Sequence, residues 1–178
     1  MKTSISRRGF SILKSELDSN DEHTIRNELT VKPFINGDYG VAPKSFLVYY
    51  ESEKKIYVPR YYGQKKFGLP LETKLLEPEG IDIKFSKSLK SKQQPIVDAY
   101  LKAAKDVGGV IISIPCGYGK TVIALYIASM LGVKTLVVVH KEFLLNQWKE
   151  RIKEFLPDAK IGRLQSSVIH IDGYDIVI

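Results

Sequence analysis

Residues 114–121 read Ile-Pro-Cys-Gly-Tyr-Gly-Lys-Thr, and this stretch decides the fold. The apolar run 110–114 leads into it, and the apolar, helix-forming run 122–128 follows it. Glycine lets the backbone turn tightly, and the N-terminus of a helix attracts negative charge. The order strand, glycine turn, Gly-Lys-Thr and helix therefore predicts a phosphate-binding loop.

The residue types in this loop suit a nucleoside triphosphate with Mg²⁺. Lys120 would bring a positive charge to the β- and γ-phosphates, and the Thr121 hydroxyl would ligate the metal ion. These two residues are the predicted catalytic pair, and the alternative is a glycine-rich turn with a purely structural role. The predicted nucleotide-binding residues of the loop are Pro115, Cys116, Gly117, Tyr118, Gly119, Lys120 and Thr121.

Composition limits the classes of function that remain. The chain has 178 residues, is 44% hydrophobic and carries a formal net charge of +7, which suits a polyanionic partner. Its single cysteine excludes an internal disulfide framework. No apolar run approaches the roughly 20 residues of a membrane span, and residues 1–22 lack the apolar centre of a signal peptide. We expect a soluble, intracellular protein without a membrane partner.

The pattern of apolar residues changes once along the chain. Residues 1–24 are polar and are predicted to be flexible, and residues 25–85 contain short aromatic and β-branched runs that predict a β-rich accessory domain. From residue 86 onward, apolar strand patterns alternate with helical ones. Predicted helices cover 95–105, 120–131 and 141–155, and predicted strands cover 110–114, 134–139, 159–164 and 175–178. This alternation is typical of a parallel sheet covered by helices.

The sequence ends on a strand pattern, Asp-Ile-Val-Ile at 175–178. A core strand with no successor suggests a fragment of a longer protein. The predicted fold is therefore α/β, with a β-rich N-terminal accessory domain followed by an incomplete parallel-sheet domain over 86–178.

Other candidate residues lie outside the loop. Gln93 begins a predicted helix, where its amide could read the edge of a base or could simply face solvent. His140 and Lys141 follow a predicted strand at its carboxyl end, where open α/β sheets bind ligands. In the accessory region, tyrosines lie near basic residues and could form a surface for single strands or a β-core with basic edges. This set comprises Tyr49, Tyr50, Tyr57, Arg60, Tyr61, Tyr62, Lys65 and Lys66.

Four segments in this order resemble the superfamily 2 helicases and translocases. The loop at 114–121 is similar to their motif I, in a Pro-Cys-Gly form like that of the XPB type. Residues 89–93, Leu-Lys-Ser-Lys-Gln, resemble the adenine-contacting segment, with lysines at two positions where the family has other residues. Residues 137–148 resemble motif Ia, and 161–178 resemble the run into motif Ib. Residues 29–70 are similar to the N-terminal region of transcript-release helicases of poxviruses and other large DNA viruses.

The resemblance implies an ATP-driven motor with two RecA-like domains, of which 86–178 would be the first, ending before the Walker B motif. It implies ATP and Mg²⁺ as ligands, Gln93 as an adenine contact, and His140 and Lys141 as nucleic-acid contacts. The track is a nucleic acid, and the resemblance favours DNA over RNA while leaving both open. It is also consistent with a link to the transcription machinery and, if the source is viral, with a location in the host cytoplasm, the viral factory or the virion. Two alternatives stay open: a nucleic-acid-binding module with a vestigial loop, and the motor subunit of a restriction system.

Overall fold

The computed structural model describes residues 1–34 and 44–178. Part of the β-rich domain predicted over 25–85, namely residues 35–43, therefore lies outside the described residues. The chain divides into two compact units, Met1–Leu76 and Glu77–Ile178. Each unit has its own hydrophobic core.

The first unit is a five-stranded sheet with two helices. The strand order is β5-β6-β2-β1-β7, and β3 and β4 form a separate antiparallel pair. Its elements are β1 (Thr3–Ser6), β2 (Gly9–Leu13), α1 (Ser19–Glu28), β3 (Thr30–Val31), β4 (Phe46–Leu47), β5 (Tyr50–Glu51), β6 (Lys55–Val58), α2 (Arg60–Phe67) and β7 (Glu72–Thr73).

The prediction of a flexible N-terminus over 1–24 is wrong. Residues 3–13 form the hairpin β1–β2 in the middle of the sheet, and Asp18 caps α1 by accepting a hydrogen bond from the Asp21 N–H at 2.6 Å. The physical reason is alternation: Ile5, Phe10 and Ile12 are almost fully buried, while the serines between them lie on the other face. Three buried apolar side chains are enough to anchor a short, otherwise polar segment.

Helix α2 packs closely on this core. A Cβ at Gly63 would lie 2.3 Å from the Phe10 ring, so only glycine lets the helix approach to this distance. Around this contact the core contains Phe10, Ile12, Ile25, Leu29, Ile56 and Val58.

A charge cluster links α1 to the sheet. Glu51 accepts hydrogen bonds from Arg26 and pairs with Lys14 at 2.6 Å, and these cations lower the pKa of Glu51 to about 2. Arg26 also pairs with Glu22, and the carboxylates of Glu51 and Glu22 raise the pKa of Arg26. The cluster therefore stabilises the fold only while Glu51 is ionised.

Acid should weaken the first unit through Glu51. The unfolded carboxyl titrates near 4.5 and the folded one near 2, so its contribution is complete above about pH 4.5 and disappears as the pH falls through 2. We expect a loss of about 1 kcal/mol, because the pair is partly solvated. Urea midpoints of the wild type and Glu51→Gln, measured across this range, should converge at the acid end. A gap that stays constant with pH would contradict the assignment.

The second unit is α/β. Its three-stranded sheet has the order β8-β12-β9 with both pairings parallel, which confirms the predicted parallel sheet. A short hairpin pairs β10 with β11. The elements are α3 (Gln94–Val107), α4 (Lys120–Leu131), β8 (Thr135–Leu136), α5 (Glu142–Phe155), β9 (Ile161–Gly162), β10 (Leu164–Gln165), β11 (Val168–Ile169) and β12 (Ile176–Val177).

The boundary predicted at 85/86 is also wrong, because residues 77–85 belong to the second unit. Ile83 is buried in its core, and the Phe85 ring lies 5.1 Å from Tyr126 and 5.4 Å from Phe155. The Ile81 N–H donates to the Gly132 carbonyl at 2.9 Å. Apolar and polar residues alternate over 81–85, and the apolar ones pack into this core although the segment forms no sheet strand.

The strand predicted over 110–114 is extended and lacks a strand partner among the described residues. Ile112 and Ile114 pack against the cluster of Val97, Ile123 and Ile127, whereas Ile111 is 94% exposed. A strand requires hydrogen bonds to a neighbour, and apolar character alone supplies only the packing. The segment is thus held by its side chains.

Candidate functional site

The glycine loop spans residues 115–119, between the extended segment 110–114 and α4. Gly117 and Gly119 have φ values of 78° and 82°, in the region that side chains other than glycine rarely adopt. A Cβ at Gly117 would meet no heavy atom within 4 Å. The loop therefore presents backbone to open space, which is the form that a phosphate cradle takes.

Helix α4 begins directly at the loop. Gly119 is its N-cap and provides no side chain to cap the first N–H groups, so the positive end of the helix faces the loop. The Lys120 ammonium donates to the Pro115 carbonyl at 3.0 Å, which places its charge across the loop. Together these groups can bind an anion such as a phosphate.

Two clusters fix α4, which explains why it is apolar on nearly all sides. Ile123 and Ile127 pack with Val97 of α3, whereas Leu125 packs into the other core with Leu145 and Ile176. A helix buried on two faces cannot rotate easily. The anion-binding end of α4 is therefore preorganised.

Gln93 is 4% exposed and contacts the loop directly. Its side-chain Nε2 donates to the Tyr118 carbonyl at 2.8 Å, and its Oε1 accepts from the Lys90 N–H at 2.9 Å. A Cβ at Gly119 would lie 2.5 Å from the same Nε2. The suggestion that Gln93 simply faces solvent is therefore wrong, and its amide joins the 89–93 segment to the loop.

Lys92 provides a second contact between the same two segments. Its Nζ lies 4.2 Å from the centroid of the Tyr118 ring, within the range of a cation–π interaction. Tyr118 is thus held through its carbonyl by Gln93 and through its ring by Lys92. No local pattern predicts the Lys92 contact, because Lys92 and Tyr118 are far apart in the chain.

His140 and Lys141 lie where the sequence predicts them, in the connection from β8 to α5, and both are exposed. Lys141 is the N-cap of α5. With Val139, Leu164 and Ile178 they line a groove at the carboxyl ends of β8 and β12. Among the hydrogen bonds of the described residues, none joins this groove to the glycine loop.

The remaining predicted residues are also placed. Thr121 is half-buried in the first turn of α4, and its hydroxyl is a hard oxygen ligand that suits Mg²⁺ when phosphate oxygens complete the coordination. Cys116 is exposed in the loop. Within residues 1–34 and 44–178, no group of three His, Cys, Asp or Glu side chains could hold a metal ion by itself. In the same residues, no helix is both long and apolar enough to cross a lipid bilayer.

The fold and the loop define an α/β protein with a glycine turn at the start of a buried helix. Residues 86–176, slightly more than half of the chain, match the family described as Type III restriction enzyme, res subunit. The chain belongs to this family, and the resemblance to superfamily 2 helicases is confirmed.

Similar proteins come from viruses and archaea. The chain is 35% identical over 177 residues to a protein named "Putative ATP-dependent RNA helicase" of Acanthamoeba polyphaga mimivirus, a match that covers 96% of this chain and 34% of that protein. It is 43% identical over 74 residues to the DNA 3'-5' translocase XPB2 of Sulfurisphaera tokodaii, covering 42% of this chain and 16% of the other. A transcript termination protein of camelpox virus is 29% identical over 69 residues, covering 39% and 12%.

A solved structure, the Sulfolobus solfataricus SWI2/SNF2 ATPase core in complex with dsDNA, aligns with a TM-score of 0.45 and 21% identity, over 57% of this chain and 22% of that one. The chain spans about a third of the length of the mimivirus relative and less of the others.

Proposed function

We propose that this chain is the N-terminal portion of an ATP-dependent nucleic-acid helicase or translocase. The observation that carries the proposal is the glycine loop at the start of α4, with the Lys120 charge folded across it. Bound with Mg²⁺, ATP would supply the β–γ phosphoanhydride bond whose hydrolysis would drive the motor. The membership of the family and the names of the relatives support the same class.

The residues of this chain would bind and orient the nucleotide. The backbone of 115–119 and the first N–H groups of α4 would surround the phosphates, Lys120 would neutralise their charge and Thr121 would ligate Mg²⁺. Gln93 would hold the loop in shape through Tyr118, and the resemblance also assigns it to the adenine edge. Phosphoryl transfer depends on several positioned groups acting together. We therefore expect hydrolysis only in the full-length protein.

The nucleic acid would contact the groove that contains His140 and Lys141. The exposed Lys141, at the N-terminus of α5, suits phosphate oxygens. We propose DNA as the track and transcription as the setting, on the names of the translocase and of the transcript termination protein. The protein would act inside cells, and in viral factories if its source is a virus.

The restriction-system motor and the vestigial-loop module remain alternatives. The family description names a restriction subunit, which favours the restriction-system motor. A restriction motor also needs a nuclease site. The vestigial-loop module predicts nucleic-acid binding without any turnover.

The deciding experiment measures ATP hydrolysis by the full-length protein that continues past Ile178, with and without single-stranded DNA or RNA. We expect stimulation by nucleic acid, stronger with DNA, and little turnover by residues 1–178 alone. Binding of DNA without any hydrolysis would overturn the motor and leave the binding module. A nuclease activity in the same preparation would favour the restriction motor.

A further inference from the structure

The five-stranded sheet of the first unit has one face that its core does not use. The register places Ser4 opposite Ser11 and Ser11 opposite Tyr57, while Tyr50 pairs with Tyr57. Because side chains alternate along a strand, these residues share the face opposite to Phe10 and Ile12. The face therefore has a floor of small hydroxyl side chains and an aromatic wall along β5 and β6.

Basic residues surround this face. Arg7 and Arg8 form the turn between β1 and β2, and both are exposed. Lys55 and Lys74 line the same groove as the serines and Tyr57. Glu72 lies opposite Ser4 and pairs with Lys74 at 3.1 Å, and Glu53 lies beside Lys55 and Tyr57. The groove thus carries an excess of positive charge, formed by residues far apart in sequence.

Arg8 and the two tyrosines form a preassembled group. The Arg8 guanidinium lies 5.8 Å from the Tyr50 ring centroid and 5.7 Å from that of Tyr57, and the two rings are 5.7 Å apart. Tyr50 is nevertheless 57% exposed, so its ring remains available for stacking. The two rings are tilted by 43°, and exposed aromatic rings beside cations can bind stacked bases and phosphates at the same time.

This surface differs from the aromatic–basic set that the sequence suggests. Tyr49 and Tyr62 pack against the core, and the Tyr62 hydroxyl donates to Glu28 at 2.5 Å. Burial, and after it the hydrogen bond to Glu28, raises the pKa of Tyr62. Only Tyr50 and Tyr57 of that set join the groove, and Arg7 and Arg8 replace the basic residues of α2.

We propose that this open face, formed by Ser4, Ser11, Tyr50 and Tyr57 with Arg7, Arg8, Lys55 and Lys74, binds single-stranded nucleic acid. Bases stack on the tyrosines, and phosphates contact the arginines and lysines. The Ser4 and Ser11 hydroxyls are buried and hydrogen-bonded to each other at 2.9 Å, so they form the floor of the face, and the exposed side chains around them make the contacts. An acidic peptide could pair with the cations but would not stack on the exposed tyrosine rings. The exposed rings therefore favour nucleic acid as the ligand. The site is separate from the glycine loop and from the groove at His140 and Lys141.

The test measures binding of a fluorescein-labelled oligothymidine to the 178-residue chain without nucleotide, across a range of salt concentrations. Arg8→Ala should weaken binding several-fold and lower the salt slope by about 0.7, the value for one lost phosphate contact on a single strand. Tyr50→Ala should weaken binding by about tenfold with an unchanged slope, because stacking is not ionic. The matched control is Lys65→Ala, which removes one exposed charge from α2 on the other side of the sheet.

Two further experiments test whether the bound strand contacts this face and whether binding depends on the glycine loop. Wild-type protein photo-crosslinked to a 5-bromouracil oligonucleotide should carry the adduct on Tyr50 or Tyr57, which avoids any question of misfolded variants. The variants should behave the same in a Lys120→Ala background, so the result does not depend on the motor. Equal binding by Arg8→Ala, Tyr50→Ala and Lys65→Ala, or crosslinks confined to the second unit, would overturn the proposal. Equally tight binding of a polyglutamate peptide would also overturn it.

Discussion

Replacing Lys120 with alanine is expected to lower nucleic-acid-stimulated ATP hydrolysis by the full-length protein by about 100- to 1,000-fold. Lys120 holds its ammonium across the loop, 3.0 Å from the Pro115 carbonyl, at the uncapped end of α4. Losing one preorganised charge that stabilises the transition state costs about 3 to 4 kcal/mol in comparable sites. Phosphate release at saturating ATP and DNA measures this effect.

The matched control for this experiment is Lys105→Ala, which removes an exposed lysine from the last turn of α3. That variant should retain hydrolysis, and both variants should bind DNA with similar affinity. Equal hydrolysis by the two variants would show that Lys120 does not act on the nucleotide. In that case the glycine turn would be structural, and any turnover would require another site.

The sequence predicts well those elements whose signals are local. Helix α4 begins and ends at Lys120 and Leu131 as expected, since Gly119 and Gly132 adopt left-handed conformations at its two ends. Helix α5 ends at Phe155, shortly before Pro157. Such signals lie within a few residues of the element that they terminate, so they can be read without any tertiary information.

Predictions that depend on distant partners fail or remain incomplete. The apolar pattern at 110–114 could not reveal that none of the described strands pairs with it. The hairpin at 3–13 is hard to predict because its strands are short and four of their nine residues are serine or threonine. The observed domain boundary, after Leu76, precedes the predicted one at 85/86 because the packing partners of Ile83 and Phe85 lie more than forty residues further along the chain.

The glycine loop itself was predicted residue by residue, but its support was not. The motif specifies backbone flexibility, a lysine and a hydroxyl, all of which are contiguous. The contacts of Gln93 and Lys92 with Tyr118 join residues about 25 positions apart, and only the folded chain brings them together. For this reason, the role of Gln93 has to be tested separately from the role of the loop.

Gln93→Ala is expected to weaken the binding of ATP, GTP and inorganic tripolyphosphate to similar extents, by about tenfold or more. The substitution removes the hydrogen bonds that the Gln93 amide makes with the Tyr118 carbonyl and the Lys90 N–H, and each such bond contributes about 0.5 to 1.5 kcal/mol. A loop that has lost this support should lose its phosphate cradle whatever base is attached. Competition against a fluorescent ATP analogue, bound to the chain of residues 1–178, measures all three affinities.

The neighbouring residue provides the matched control. Gln94 has the same side chain but is exposed, and its amide donates to Asp98 at 2.8 Å, so Gln94→Ala should leave all three affinities unchanged. Gln93→Glu should bind more weakly than Gln93→Ala, because it turns a carboxylate oxygen toward the Tyr118 carbonyl in place of the donor. If Gln93→Ala weakens ATP alone and spares GTP and tripolyphosphate, then Gln93 reads the adenine edge, and the support of the loop must come from Lys92 and the core beneath α4.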